Sequence, residues 1–222
     1  MSTAAAIKQF IDHLVNHPLQ LDECEVMNPF LNSQTRAYSD LFWDKYYTDD
    51  QPRYALWGIN PGRLGSGITG VGFTDPVNLE EKLGIKNDLP KRHELSSRFI
   101  YEVIQAFGGP EAFFGRFYIS SVLSLGLLRD GKNINYYDIP GLPEKLKPLI
   151  VDQINRQLPF LRRDVTWCIG KGKNLKYLEK WNKEYQWFDT IEVVPHPRWV
   201  MQYRLKRMDE FVDEYLQKLA PQ

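Results

Sequence analysis

Cysteine is nearly absent. Only Cys24 and Cys168 occur among 222 residues, far apart, so no disulfide framework staples this chain, and a reducing compartment is implied. Two cysteines also exclude a four-cysteine iron–sulfur cluster. No His/Cys/carboxylate grouping has zinc-like spacing, so neither metal nor cofactor is expected. Net charge is absent as well: 28 Lys and Arg balance 28 Asp and Glu, and nothing global announces a polyanion partner. No apolar run is long enough to cross a bilayer, and the N-terminus lacks a signal-peptide core. A soluble, intracellular, cytoplasmic protein without membrane contact is expected. Internal repeats and low-complexity tracts are missing too.

What is present suits one domain over residues 1–222, since 43% of residues are hydrophobic and the length supports a single core. Charge is unevenly spread. Residues 1–51 hold three Lys/Arg and eight Asp/Glu, whereas residues 162–207 hold eleven and five. The basic C-terminal portion is either a phosphate-contacting face or a solvated helical surface.

Four short apolar runs read as strands buried on both faces: Tyr54–Trp57, Phe117–Ser121, Val165–Ile169 and Thr190–Val194. Helical patterns alternate with them. Ala4–Asn16, within an N-terminal helical segment 1–20, spaces Ile7, Phe10, Ile11 and Leu14 on one face and leaves His13 and His17 to solvent. Ser96 is placed to cap a helix ending near Ala106, where Gly108-Gly109-Pro110 stops it. Asn133–Gly141 reads as a tyrosine-containing loop, and Pro143 opens a helix to about Gln157 despite Pro148. Gly170-Lys171-Gly172-Lys173 lacks Walker spacing and reads as a strand-to-helix turn before Asn174–Lys183. A last helix occupies 202–222, with Leu205, Met208, Phe211, Val212, Tyr215, Leu216 and Leu219 as its stripe. The pattern predicts a three-layer α/β/α sandwich around a central four-stranded parallel sheet. Ligands bind beyond the carboxyl ends of such strands, where Asn60, Ser121 and His196 fall.

The chemistry-bearing stretch is Tyr54–Phe73, YALWGINPGRLGSGITGVGF. A buried strand breaks into a loop with glycines at 58, 62, 65, 67, 70 and 72, which lets backbone lie close against a ligand. Asn60 and Phe73 sit in this loop, one able to hold a water and the other to stack on a flat ring. The ordinary alternative is a plain strand-to-loop junction.

Gly58-Ile59-Asn60-Pro61-Gly62 followed by Thr69-Gly70-Val71-Gly72-Phe73 resembles the first active-site motif of the uracil-DNA glycosylase superfamily. GINPG is typical of the mismatch-specific branch; the register from Asn60 to Phe73 fits the single-strand-selective monofunctional branch. Val26-Met27-Asn28-Pro29-Phe30 resembles the phrase upstream of motif one there, and Val193-Val194-Pro195-His196-Pro197 resembles motif two. The resemblance spans about Val26 to Arg204 and suggests a divergent, bacterial-type subgroup of that branch.

It implies the same sandwich fold and a monomeric, nucleoid-associated repair enzyme acting on single- or double-stranded DNA. In this resemblance Asn60 positions the attacking water and His196 donates a hydrogen bond to the departing base. Ile59 and Gly62 line the base edge, and Phe73 stacks on the ring. Arg198, Trp199, Arg204, Lys206 and Arg207 would meet the DNA. Two departures mark this chain. In Phe117–Leu125, FYISSVLSL, Ser120 and Ser121 stand where the family has His-Asn, so the base-reading asparagine is replaced by Ser121. After His196-Pro197 comes Arg198-Trp199 rather than Ser-Pro-Arg, which alters the intercalating wedge. An N-glycosidase for free nucleosides and a non-catalytic DNA or modified-base binding module remain rival readings.

Overall fold

A computed structural model describes residues 1–220. All four anticipated strands form: β2 (Tyr54–Gly58), β3 (Phe117–Ser121), β6 (Val165–Ile169) and β7 (Thr190–Val194). They pair in parallel in the order β3-β2-β6-β7. Sequence order therefore reverses direction between β2 and β6, and the crevice beyond their carboxyl ends is where such a sheet admits a ligand.

Helices cover both faces, and the central strands β2 and β6 are buried on both. Tyr118 points toward Trp43 on α2 (Ser33–Tyr46), and Ser120 donates to Gln157 Oε1 at 2.7 Å on α7 (Leu142–Gln157). The first helix, α1 (Thr3–Asn16), packs against both of these. Phe117 points the other way, toward Phe113 on α6 (Pro110–Phe114) and Phe107 just past α5 (Leu95–Ala106). On that face α5 packs with α9 (Pro197–Tyr203) and α10 (Met208–Leu219), and Phe99 meets Tyr215 edge-on at 5.3 Å. Two short helices, α3 (Ser66–Thr69) and α4 (Pro76–Glu81), follow β2. Helix α8 (Lys173–Tyr185) follows β6.

Several expectations are corrected. A second, three-stranded antiparallel sheet forms from β1 (Glu25–Met27), β4 (Gly126–Arg129) and β5 (Lys132–Ile134) in the order β1-β4-β5. Its strands are three or four residues long, too short for periodicity to reveal, and Lys132–Ile134 takes the first part of the supposed tyrosine loop. Ser96 is buried inside α5, whose N-cap is Glu94, so Ser96 caps nothing. His13 does not simply face water: its Nε2 lies 2.9 Å from Asp152 Oδ2 on α7. The C-terminal helical stretch is three elements, α9, a 3₁₀ turn at Leu205–Arg207 and α10. Residues 221–222 of the expected 202–222 helix lie outside the described residues. No described helix is long and apolar enough to cross a membrane.

The central strands are locked by one buried hydroxyl. Thr166 Oγ1 donates to Ala55 O at 2.8 Å and accepts from Trp57 Nε1 at 2.9 Å. Thr166→Val keeps the shape but orphans the fully buried indole N–H, so it should cost about 2 kcal/mol, as leaving a buried donor unmade does. Urea denaturation measures it; an unchanged midpoint would remove this bond from the account of sheet stability.

Candidate active site

A cavity of about 690 Å³ opens at the crevice between β2 and β6, within the range of small-molecule sites. Ile59, Asn60, Gly62, Phe73, Ser121, His196, Arg198 and Trp199 all line it. All eight come from the glycine loop, the end of β3 and the segment after β7, so the fold gathers residues as far apart in sequence as Asn60 and His196, 136 positions.

Asn60 is held at both ends of its carboxamide. Nδ2 donates to Ile134 O at 3.1 Å, and Oδ1 accepts from Tyr136 N at 3.2 Å. A backbone carbonyl and a backbone N–H on the two sides leave only one orientation of the amide. One lone pair and one N–H then remain for a ligand or water. The partners lie at the end of β5 and two residues past it, so the small antiparallel sheet fixes the aim of this side chain.

Phe73 adopts φ +51°, a left-handed conformation unusual for a bulky residue and typical of strained functional positions. Its ring lies against the end of β2. A Cβ at residue 58 would stand 2.9 Å from Phe73 Cε2, so only glycine lets the ring sit there. The ring meets the His196 imidazole edge-on, with centroids 6.3 Å apart.

His196 caps α9, and its Nδ1 accepts from Arg198 N at 3.2 Å. With Nδ1 an acceptor, the neutral ring carries its proton on Nε2. Burial, aided by the Arg198 charge, pulls the imidazole from its ordinary 6.5 down to about 4. The residue is a neutral hydrogen-bond donor near pH 7. Tyr215 anchors the segment by donating to Pro195 O at 2.6 Å.

Ser121, at the end of β3 beside Gly58, has a hydroxyl that makes no hydrogen bond with a described residue. Arg198 and Trp199 stand at the cavity wall; Arg204, Lys206 and Arg207 do not line it. The Arg204 guanidinium lies 5.0 Å from the Trp199 ring centroid, and Arg207 pairs with Glu210 through two hydrogen bonds of 2.6 and 2.9 Å. Trp199, Tyr203 and Leu205 leave large apolar surfaces exposed in one short segment.

Two participants escaped the sequence. Asn174, buried at the start of α8, donates to Gly58 O at 3.2 Å and accepts from the Tyr136 hydroxyl at 3.0 Å. It ties the mouth of β2 to the residue that holds Asn60. Glu94, at the N-cap of α5, sends a carboxyl to the cavity wall. Burial first and the neighbouring Asp75 second push it from 4.5 up to about 7, against the pull of Arg198. Neither lies in a motif. Among the described residues no three His, Cys, Asp or Glu side chains converge to hold a metal.

The profile of the Uracil DNA glycosylase superfamily matches residues 45–220. The chain belongs to this superfamily. A solved structure of SMUG2 from Pedobacter heparinus is similar over 98% of this chain and 97% of its own, with 40% sequence identity and a TM-score of 0.93. No curated protein sequence matches the chain. Superfamily membership accounts for the α/β sandwich and for where the cavity sits, and it makes this chain a glycosylase-type hydrolase associated with DNA repair.

The His196 geometry makes a testable statement. A depressed histidine adds stability that is complete above pH 6.5 and lost as pH falls toward about 4. NMR titration of the ring nitrogens should show a midpoint near 4 and the Nε2–H tautomer at neutrality. A midpoint above 6 would show the ring to be solvated.

Proposed function

We propose that this protein is a monofunctional DNA glycosylase. It hydrolyses the N-glycosidic bond of uracil and related deaminated or oxidised bases, with a water held by Asn60 and the departing base stabilised by His196. The observation that carries this is the pairing, across one cavity, of a carboxamide with a single fixed orientation and a neutral imidazole that donates through Nε2.

Breaking the bond leaves a cationic sugar and an anionic base. His196 Nε2–H donates to the base carbonyl oxygen where negative charge grows, so its bond strengthens in the transition state. A protonated ring is not needed. Asn60 cannot take a proton near neutral pH, so its part is positioning. Phe73, strained into place, stacks on the ring, and the backbone near Ile59 and Gly62 lines its edge. The base reaches the cavity either from single-stranded DNA or by extrusion from a duplex.

At the mouth, Arg198 and Arg204 meet phosphates, while the exposed Trp199, Tyr203 and Leu205 form the wedge that fills the vacated stack. Lys206 adds charge on the same side. Arg207 contributes less, because its guanidinium is already committed to Glu210. Ser121 replaces a carboxamide that would accept from one base group and donate to the next. A hydroxyl cannot span both, so the pocket is less strictly set for uracil and tolerates substituted uracils and deaminated purines.

Asn60→Ala should slow single-turnover release of uracil by about 100-fold while DNA binding persists, as loss of one positioned catalytic group does. Alkali-labile sites in labelled oligonucleotides report it, and an unchanged rate would remove Asn60 from the mechanism. Ser121→Asn should sharpen preference for uracil over xanthine by about tenfold to a hundredfold, the worth of one directed hydrogen-bond pair. A variant no more selective than the natural protein would mean that another group reads the base. Affinity for duplex DNA should fall steeply with salt, and Arg198→Ala should reduce that slope by about 0.9. A salt-independent affinity would favour a small-nucleoside enzyme instead.

A further inference from the structure

Glu94 is the one carboxyl in the cavity with nothing to do. Glu214 also lines it but pairs with Lys218 at 2.8 Å. Asp75, beside Glu94, spends its oxygens on backbone: Oδ1 accepts from Asn78 N at 2.8 Å and Oδ2 from Glu94 N at 2.9 Å. The Glu94 carboxyl accepts no hydrogen bond from a described residue, and only desolvation and the charges of Asp75 and Arg198 act on it. The titratable and charged groups on the surrounding elements are Arg63 of the glycine loop, Asp75 at α4, the neutral His196 and charged Arg198 at α9, and Glu214 on α10. An enclosed carboxyl without a partner is costly to keep.

The glycine loop makes room for it. A Cβ at residue 65 would collide with Glu94 Oε2, and one at residue 62 would lie 3.2 Å from Oε1. The same point beside Gly62 is 3.4 Å from Asn133 Nδ2. The next residue, Ile134, supplies the carbonyl that holds Asn60. Glu94, Asn133 and Asn60 thus follow one another along one wall of the cavity.

Hydrolysis releases a proton from the attacking water, and the groups named so far cannot take it. Asn60 is not a base. His196 is already protonated at Nε2, and its Nδ1 is occupied by Arg198 N–H. Tyr137, also in the wall, has a hydroxyl that burial pushes up to about 12.

We propose that Glu94 is a catalytic base that accepts the proton of the water oriented by Asn60. The inference rests on the glycosylase reading above. In this step the water oxygen bonds to the sugar C1′ as the C1′–N bond breaks. The bonding pair leaves with the base, stabilised by His196, and the water proton passes to the Glu94 carboxylate, directly or through one further water. No other reactant is required. A carboxyl whose proton affinity lies near the working pH suits this task, and desolvation holds Glu94 at about 7.

The test is single-turnover release of uracil from single-stranded oligonucleotide between pH 5 and 9, for the natural protein, Glu94→Gln and Glu94→Asp. The natural protein should speed up as pH rises and level off past a midpoint of about 7. Glu94→Gln should be about 100-fold slower at the plateau and flat with pH, as removal of a general base predicts. Glu94→Asp should recover part of the rate with a displaced midpoint. Folding is checked separately: the buried carboxylate weakens the fold as pH rises through about 7, so Glu94→Gln should melt at or above the natural protein at pH 8. A Glu94→Gln protein with natural rate and midpoint overturns this inference and leaves the glycosylase reading intact. A natural protein that releases no base from any oligonucleotide overturns both.

Discussion

The candidate site depends on two hydrogen bonds that join two sheets. Asn60 lies just beyond the central strand β2, yet its carboxamide is clamped by backbone at Ile134, the last residue of β5 in the small antiparallel sheet, and at Tyr136 just past it. The parallel sheet supplies the place and the antiparallel sheet supplies the aim. Asn174 reinforces the junction by bonding to Gly58 O and to the Tyr136 hydroxyl. Such buried polar networks hold one arrangement because every alternative leaves a group unmade.

The opposite wall is built by different means. His196 owes its tautomer to the first turn of α9, whose backbone N–H at Arg198 occupies Nδ1. Its neutrality comes from burial. Glu94 shows the same physics with the other sign, since burial raises a carboxyl and lowers an imidazole. One desolvated cavity thereby brings a neutral donor and a proton acceptor into the same pH range, without either residue being unusual in itself.

Position in the fold also sorts the basic residues. The positive excess after residue 162 is real in sequence, yet the structure divides it. Arg198 stands at the cavity wall, Arg204 lies over Trp199, and Arg207 is paired with Glu210. Charge counting weighs these three alike; only placement distinguishes them.

The sequence by itself determined the central sheet, because strands buried on both faces must be apolar throughout and such runs are legible one by one. It also located Asn60, Phe73 and His196, since a dense glycine loop and a His-Pro step after a strand are local signals. The tertiary structure alone decided the second sheet, whose strands of three and four residues carry no readable period. It alone decided that Ser96 lies inside α5 and that His13 meets Asp152. Glu94 and Asn174 belong to this second group. A carboxylate and a carboxamide in polar segments look like any solvated side chain until folding removes the water around them, and their chemistry arises from that desolvation.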